Sequence, residues 1–343
     1  MKSLRAGLLL CLLGLVWGEV KGQDPQFSQF YATPLYLNPA FAGATQITRV
    51  GLNYRNQWPS IDASYVTYSA WADHFFIDAN SGVSLLVMSD RENLAGLKSN
   101  YVAAQYAYQL GFSQNWTFRP GFEASYVMKS VDYTRFTFPD QYDDSGYLGP
   151  SGEVFDSDWR VNYFDMALGG VFYNNNFWGG FSVHHVLGPN TAFLNGVTDK
   201  LPRKYSVHAG YRIPLKKGVI RHVYYDKNPK AIDLFPALNY KLQGEFQQLD
   251  LGMYVTYSPI SFGLWYRGVP VNVMGNLNNN EAIIFSVGMN SRGLNIGYSF
   301  DYTLSGLGIA SGGAHEISIV YEFFIGDPRK PPKSVRQIPC PRI

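Results

Sequence analysis

Beyond its first 22 positions the 343-residue sequence has no run of about 18 apolar residues, so it offers no transmembrane helix. Charge is scarce as well. Asp, Glu, Lys and Arg make up 16% of the chain, against roughly 25% in an ordinary soluble protein. There are only two cysteines, Cys11 and Cys340. Cys11 lies in the leading apolar stretch, so a processed chain would keep one thiol and could form no internal disulfide. A basic excess is missing too. Residues 1–22 carry three of the 28 basic and one of the 26 acidic residues, leaving 25 of each. A formally neutral chain argues against a nucleic-acid partner.

What is abundant is aromatic: 25 Tyr and 23 Phe, with aromatics at 16% overall. A water-facing surface would carry that burden badly. A lipid-facing wall with aromatic girdles accounts for both the low charge and the aromatic excess. The mean hydropathy of −0.13 agrees, because alternating apolar and polar residues average out. The N-terminus reads as a cleavable signal peptide. Lys2 and Arg5 form its positive region, LLLCLLGLVW its apolar core, and cleavage is expected after Gly22. The apolar core is too short to span a membrane, and no lipoprotein pattern surrounds Cys11.

Period-two alternation recurs along the chain in segments of about ten residues, the length of a tilted membrane strand. Leu249, Leu251, Met253, Val255 and Tyr257 share one face, opposite Asp250, Gly252, Tyr254 and Thr256. Tyr205, Val207, Ala209 and Tyr211 oppose Lys204, Ser206, His208 and Gly210 in the same way. From Trp116 to Lys129, Phe118, Phe122, Tyr126 and Met128 oppose Arg119 and Glu123. Such segments fall near 47–55, 64–76, 81–90, 100–111, 114–129, 161–174, 177–187, 203–214, 231–243, 246–258, 260–268, 281–290, 293–304 and 314–325. The pattern predicts an all-β fold, a transmembrane antiparallel barrel of about fourteen strands in the outer membrane. A soluble β-sandwich is the competing fold, and it does not explain the aromatic excess.

With both termini in the periplasm, alternate connections should be short. GFSQ, NNNF, Ser258-Pro259 and Ser291-Arg292 obey this, and the long connections 130–160, 188–202 and 269–280 fall outside. Connection 215–230 is long where a short one is expected. The predicted organisation is a signal peptide (1–22), an N-terminal periplasmic or plug-like segment (23–45), the barrel (46–325) and a basic, proline-rich periplasmic tail (326–343). Pro25, Pro34 and Pro39 should break regular structure in the first segment. Cys340 should be a free thiol in a mobile tail.

The opening QDPQFSQFYATPLYLNPAFAG resembles that of the PorP/SprF family of type IX secretion proteins. YRNQWPSIDASYVTYSAWAD from Tyr54, WGGFSVHHVLGPN from Trp178 and YSFDYTLSGLGIASGGAHEISIVYEF from Tyr298 are similar to further blocks of that family, as is the ending Pro339-Cys340-Pro341. The resemblance implies an accessory of type IX secretion, embedded in membrane lipid and working by binding. Two partner classes follow from it. The SprF-like branch serves a secreted adhesin with a type IX export domain. The PorP-like branch contacts secretion-core or peptidoglycan-binding lipoproteins. A diffusion channel is the main alternative, and an outer-membrane hydrolase a third.

Within segment 23–45, Phe27, Phe30, Tyr31, Tyr36 and Phe41 are candidate partner-binding anchors, since aromatics dominate interfaces. A plug closing the lower mouth is the other reading. No catalytic set, cofactor site or metal site is expected. His184 and His185 are adjacent, so on a strand they would face opposite sides. The acidic loop of Asp140, Asp143, Asp144, Glu153, Asp156 and Asp158 lacks calcium-loop spacing. Ser318 lies near His315 without a third partner. Arg49, Asn53 and Arg55 on the first strand should meet Glu316 and Glu322 on the last as ion pairs across the closing seam.

Overall fold

The computed structural model describes residues 24–45, 47–113, 115–143, 146–149, 151–152, 159–194, 196–216, 231–269, 279–325 and 337–341. The expected signal peptide with its cleavage after Gly22, and residues 217–230 of the long connection, lie outside them.

Fourteen antiparallel strands close into a barrel. They are β1 (Thr48–Gln57), β2 (Tyr65–Phe76), β3 (Ser81–Glu92), β4 (Lys98–Tyr108), β5 (Thr117–Ser130), β6 (Arg160–Tyr173) and β7 (Phe177–His184), followed by β8 (Lys204–Tyr211), β9 (Ile232–Gln243), β10 (Phe246–Tyr257), β11 (Ile260–Val269), β12 (Asn279–Ser291), β13 (Leu294–Thr303) and β14 (Ala314–Phe323). Two short pieces, Leu110–Gly111 and Ile213–Lys216, prolong the β4–β5 and β8–β9 hairpins. Each strand pairs with its sequence neighbours. β1 then pairs with β14, from Thr48↔Phe323 to Gln57↔Ala314, so no edge is left open. Closure lets ladder amides be satisfied within the wall, which lipid cannot do.

The alternation sorts side chains as the sequence pattern requires. In β8, Lys204, Ser206 and His208 are buried while Tyr205, Val207 and Tyr211 are exposed. In β5, Arg119 and Glu123 are buried and Phe122 and Met128 face outward. All fourteen predicted segments are strands, with ends shifted by a few residues. Short connections at 77–80, 174–176, Ser258-Pro259 and Arg292-Gly293 gather at one end. The connections 58–64, 93–97 and 304–313, and the described residues of 131–159 and 185–203, gather at the other, which also carries the tight Gly244-Glu245 turn. In outer-membrane barrels the short turns are periplasmic and the longer loops extracellular.

Residues 24–45, expected to be a periplasmic or plug-like segment, run through the lumen as a strap. Pro34 and Pro39 do not abolish regular structure there. Each stands at the start of a brief helical turn, α1 (Pro34–Leu37) and a 3-10 turn (Pro39–Phe41). There a proline's missing N–H costs nothing and its fixed φ suits the helix. Of the tail, residues 337–341 also enter the lumen. Ile338 is buried in a cluster with Tyr31, Phe41 and Ala44, and Cys340 packs against it half-buried.

Candidate functional site

A strap inside a barrel must satisfy its backbone without sheet partners, and the lumen side chains provide the missing groups. Near its start, the Ser28 and Gln29 amides donate to the two Glu316 carboxylate oxygens at 2.6 and 3.1 Å. Arg267 Nη2 donates to Phe27 O at 3.3 Å. Further along, Gln105 Nε2 reaches Leu35 O at 2.9 Å and Ser182 Oγ reaches Leu37 O at 3.0 Å. Asn38 caps the 3-10 turn by accepting from the Ala40 amide at 2.9 Å, while its Nδ2 donates to Phe181 O at 2.9 Å. Arg119 holds the Ala40 and Ala42 carbonyls at 3.2 and 2.5 Å. Last, the Gly43 amide donates to Asp73 Oδ2 at 2.9 Å.

These contacts also fix the strap's direction. Asp24 meets His185, just past the end of β7, and Lys204 at the start of β8. Both stand at the end that carries the long connections. Gly43 meets Asp73 near the short turns. The strap therefore spans the lumen from the extracellular half to the periplasmic half.

Two ionic clusters anchor it. In the first, Arg55 pairs with Asp301 at 2.8 Å and with Glu316 at 3.2 Å. Arg267 pairs with Asp250 at 2.7 Å and with Asp301 at 3.1 Å. Ser28 Oγ closes the cluster by donating to Asp301 Oδ2 at 2.6 Å. In the second, His185 Nδ1 meets Asp165 at 2.6 Å and its Nε2 meets Asp24 at 2.8 Å, with Lys204 Nζ 2.6 Å from the same Asp24 oxygen. Burial works against the imidazolium, but the Asp24 charge and the hydrogen bonds to Asp165 and Asp24 outweigh it, so the His185 pKa is pushed up to about 9. Asp24 is held well below the usual carboxylate range: burial opposes this, and His185 and Lys204 overcome it.

The sign of the pH dependence follows. The His185 pKa rises from an ordinary value near 6.5, so its contribution is full below that value and is lost as pH climbs through about 9. The Asp24 contribution is present above roughly pH 4 and is lost on acidification. Hydrogen exchange of residues 24–33, corrected for intrinsic rates, should therefore accelerate as pH passes about 9. In His185→Gln it should already be fast at neutral pH and show no such step. An unchanged profile in the variant would remove His185 from the clamp.

The five candidate aromatics all lie inside the barrel. Phe27, Phe30, Tyr31 and Phe41 are buried and Tyr36 is half-buried. Their ring partners are the lumen wall and one another: Phe30 on Trp265 with centroids 5.3 Å apart, Tyr31 on Trp178 at 5.8 Å, Phe41 on His208 at 5.4 Å, and Phe27 on Tyr36 at 5.5 Å. Burying each of the apolar rings contributes about 1.5–3 kcal/mol to holding the strap.

The other residues singled out by their sequence positions divide. Across the seam Arg55 pairs with Glu316 as expected, but Arg49 takes Asp73 on β2 at 2.5 Å. His184 and His185 do not face opposite sides. His185 has φ 58, which breaks the strand alternation, and the two rings lie 6.5 Å apart, His185 in the ionic cluster and His184 buried with neither ring nitrogen hydrogen-bonded. Ser318 is buried and donates to Gln29 Oε1 at 2.6 Å, while the His315 ring meets the Tyr298 hydroxyl on the other face, so that pair is not assembled. Asp140 is engaged by Ser151 and Gly152, whereas Asp144, Glu153, Asp156 and Asp158 lie outside the described residues. Sequence reading missed Asp73, Asp165, Asp250, Arg267 and Asp301 as strap anchors. Their signal was a charge at a lumen-facing position in mid-strand.

Closure, an apolar outer face and an internally occupied lumen define an outer-membrane barrel plugged by its own chain. Over residues 19–321 the chain matches the family described as "Type IX secretion system membrane protein PorP/SprF", and it belongs to that family. No curated protein sequence matches it. Among solved structures it is similar to CdiB from Acinetobacter baumannii, at 7% identity over 81% of this chain, with a TM-score of 0.45. The chain spans 60% of that protein's length. It is also similar to a TodX monoaromatic hydrocarbon channel mutant (10% identity, 83% of this chain and 92% of that one, TM-score 0.42) and to a Pseudomonas aeruginosa FadL homologue (10% identity, 83% and 93%, TM-score 0.41).

Proposed function

We propose that this chain is a non-enzymatic accessory of type IX secretion that binds or anchors a secreted surface adhesin, in the SprF-like manner. The carrying observation is the occupied lumen. A wall whose inward charges bind its own strap, instead of lining an aqueous path, suits a stationary anchor better than a conduit. Family membership supplies the secretion context, and the described residues of the long connections 131–159 and 185–203 offer an outward surface for a partner. The PorP-like link to periplasmic lipoproteins is the second form of the same reading. It is favoured by residues 337–341 returning to the lumen at the short-turn end, where Gln337, Ile338 and Cys340 stand beside Arg49 and Glu322.

The rival is a diffusion channel, and planar-bilayer recording on the intact, detergent-purified chain separates the two. A plugged anchor gives no steady conductance. A stable ohmic conductance in the unmodified chain would establish a channel and end the anchor reading.

A further inference from the structure

Between the strap and the wall of β8, β9 and β10 lies a cavity of about 40 Å³, room for about three waters or for the few heavy atoms of a very small organic acid. Gln26, Phe27 and Phe30 line it from the strap, and Ser206, Lys241 and Gln248 from the wall. Asp24 and Lys204 line it too, but they are already paired with each other. The Lys241 side chain is largely buried. Within 4 Å it has a single carboxylate oxygen among the described residues, Asp250 Oδ2 at 3.9 Å, which is beyond hydrogen-bond distance. That oxygen already accepts from Gln248 Nε2 at 3.0 Å and Asn239 Nδ2 at 3.4 Å, and Arg267 holds its twin at 2.7 Å. The ammonium otherwise rests over the Phe30 ring, 5.3 Å from its centre. Two carbonyl oxygens on the same cavity, Gln26 Oε1 and Gln248 Oε1, are buried without a donor, and Gln248 is 1% exposed.

Lys241 therefore calls for an acceptor, and the two glutamines call for donors. A carboxylate alone would satisfy Lys241 and leave both carbonyls desolvated. An amine alone would satisfy the carbonyls and leave Lys241 with only its long contact to Asp250, and a buried carbonyl without a donor is costly. We propose that the cavity binds a free amino-carboxylate of about glycine's size. Its carboxylate sits on Lys241 and the Ser206 hydroxyl, and its ammonium faces Gln26 and Gln248. Such a ligand touches strap and wall together, so it binds only the barrel with the strap in place and stabilises that state by mass action.

The test is calorimetry on the intact chain in detergent, with glycine, acetate and methylammonium as probes. Glycine should bind at least about fivefold more tightly than acetate, since one buried polar pair is worth about 1 kcal/mol or more, and methylammonium should not bind. Lys241→Met should weaken glycine at least about tenfold, the scale of a charged hydrogen bond. Gln248→Leu should keep acetate binding and reduce the preference for glycine, with Gln26 left as the ammonium's one acceptor. Heat-modifiable gel migration shows whether each variant still forms the barrel. Absence of heat up to saturating glycine, meaning that water alone fills the cavity, would overturn the proposal. So would equal affinity in a folded Lys241→Met barrel.

Discussion

Replacing Arg267 by methionine is expected to lower the barrel's denaturant midpoint by the equivalent of about 3–5 kcal/mol, the scale of a broken buried ion pair. Arg267 is 1% exposed. Its guanidinium bridges Asp250 and Asp301 and reaches the strap at Phe27 O and Ser28 Oγ, at 3.3 and 3.1 Å. Its loss leaves the three carboxylates Asp250, Asp301 and Glu316 facing Arg55 and the more distant Lys241. Buried charges without partners cost more than the pair had contributed, so the strap should detach at its first turn before the wall opens. Arg267→Lys keeps the charge but cannot span two carboxylates and a carbonyl in one plane, so it should fall between. Arg267→Met combined with Asp250→Asn should recover part of the loss, because one orphaned charge is gone. A single variant as stable as the parent would show that the cluster is well hydrated and that the strap is held by its apolar rings.

The barrel was legible because its physics is local. Each strand writes its own alternation, so Lys204, Ser206 and His208 could be sorted from Tyr205 and Val207 without knowledge of any neighbour. The strap was not legible for the opposite reason. Residues 24–45 have no period, and most of the groups that hold them come from far away in the chain: Ser28 finds Glu316, Asn38 finds Phe181, and Ala40 finds Arg119. The five aromatics were recognisable as contact residues, but whether they meet a partner or their own wall depends on where the segment lies. The sequence hint was the pairing of lumen-facing charges with lumen-facing glycines. A water-filled pore has use for the charges and none for the missing side chains.

Those glycines carry the last expectation: Gly121→Val should turn a closed barrel into a conducting one. Gly121 sits on β5 facing inward, and a Cβ there would overlap the Ala40 amide and stand 2.5 Å from Ala40 Cα and 2.6 Å from Pro39 C. Nothing in the strand itself opposes valine, which a strand favours. The three nearest atoms are all strap backbone, which cannot swing away as a flexible side chain would. Overpacking usually costs about 1–3 kcal/mol when neighbours relax. Here the relief open to the molecule is for Pro39–Ala42 to leave the lumen, giving up the Arg119 and Asp73 contacts on either side. Gly82→Val should act in the same way, since its Cβ would overlap the Ala42 carbonyl. Gly111→Val has nothing within 4 Å and should leave the barrel closed. Steady conductance in the first two variants and not in the third would place the seal in residues 39–42. A closed, normally stable Gly121→Val barrel would mean that the strap is not what occludes the lumen. If the conducting variants still co-isolate with a surface adhesin, that partner binds the outer loops. If co-isolation fails together with closure, the strap itself holds the docking surface in shape.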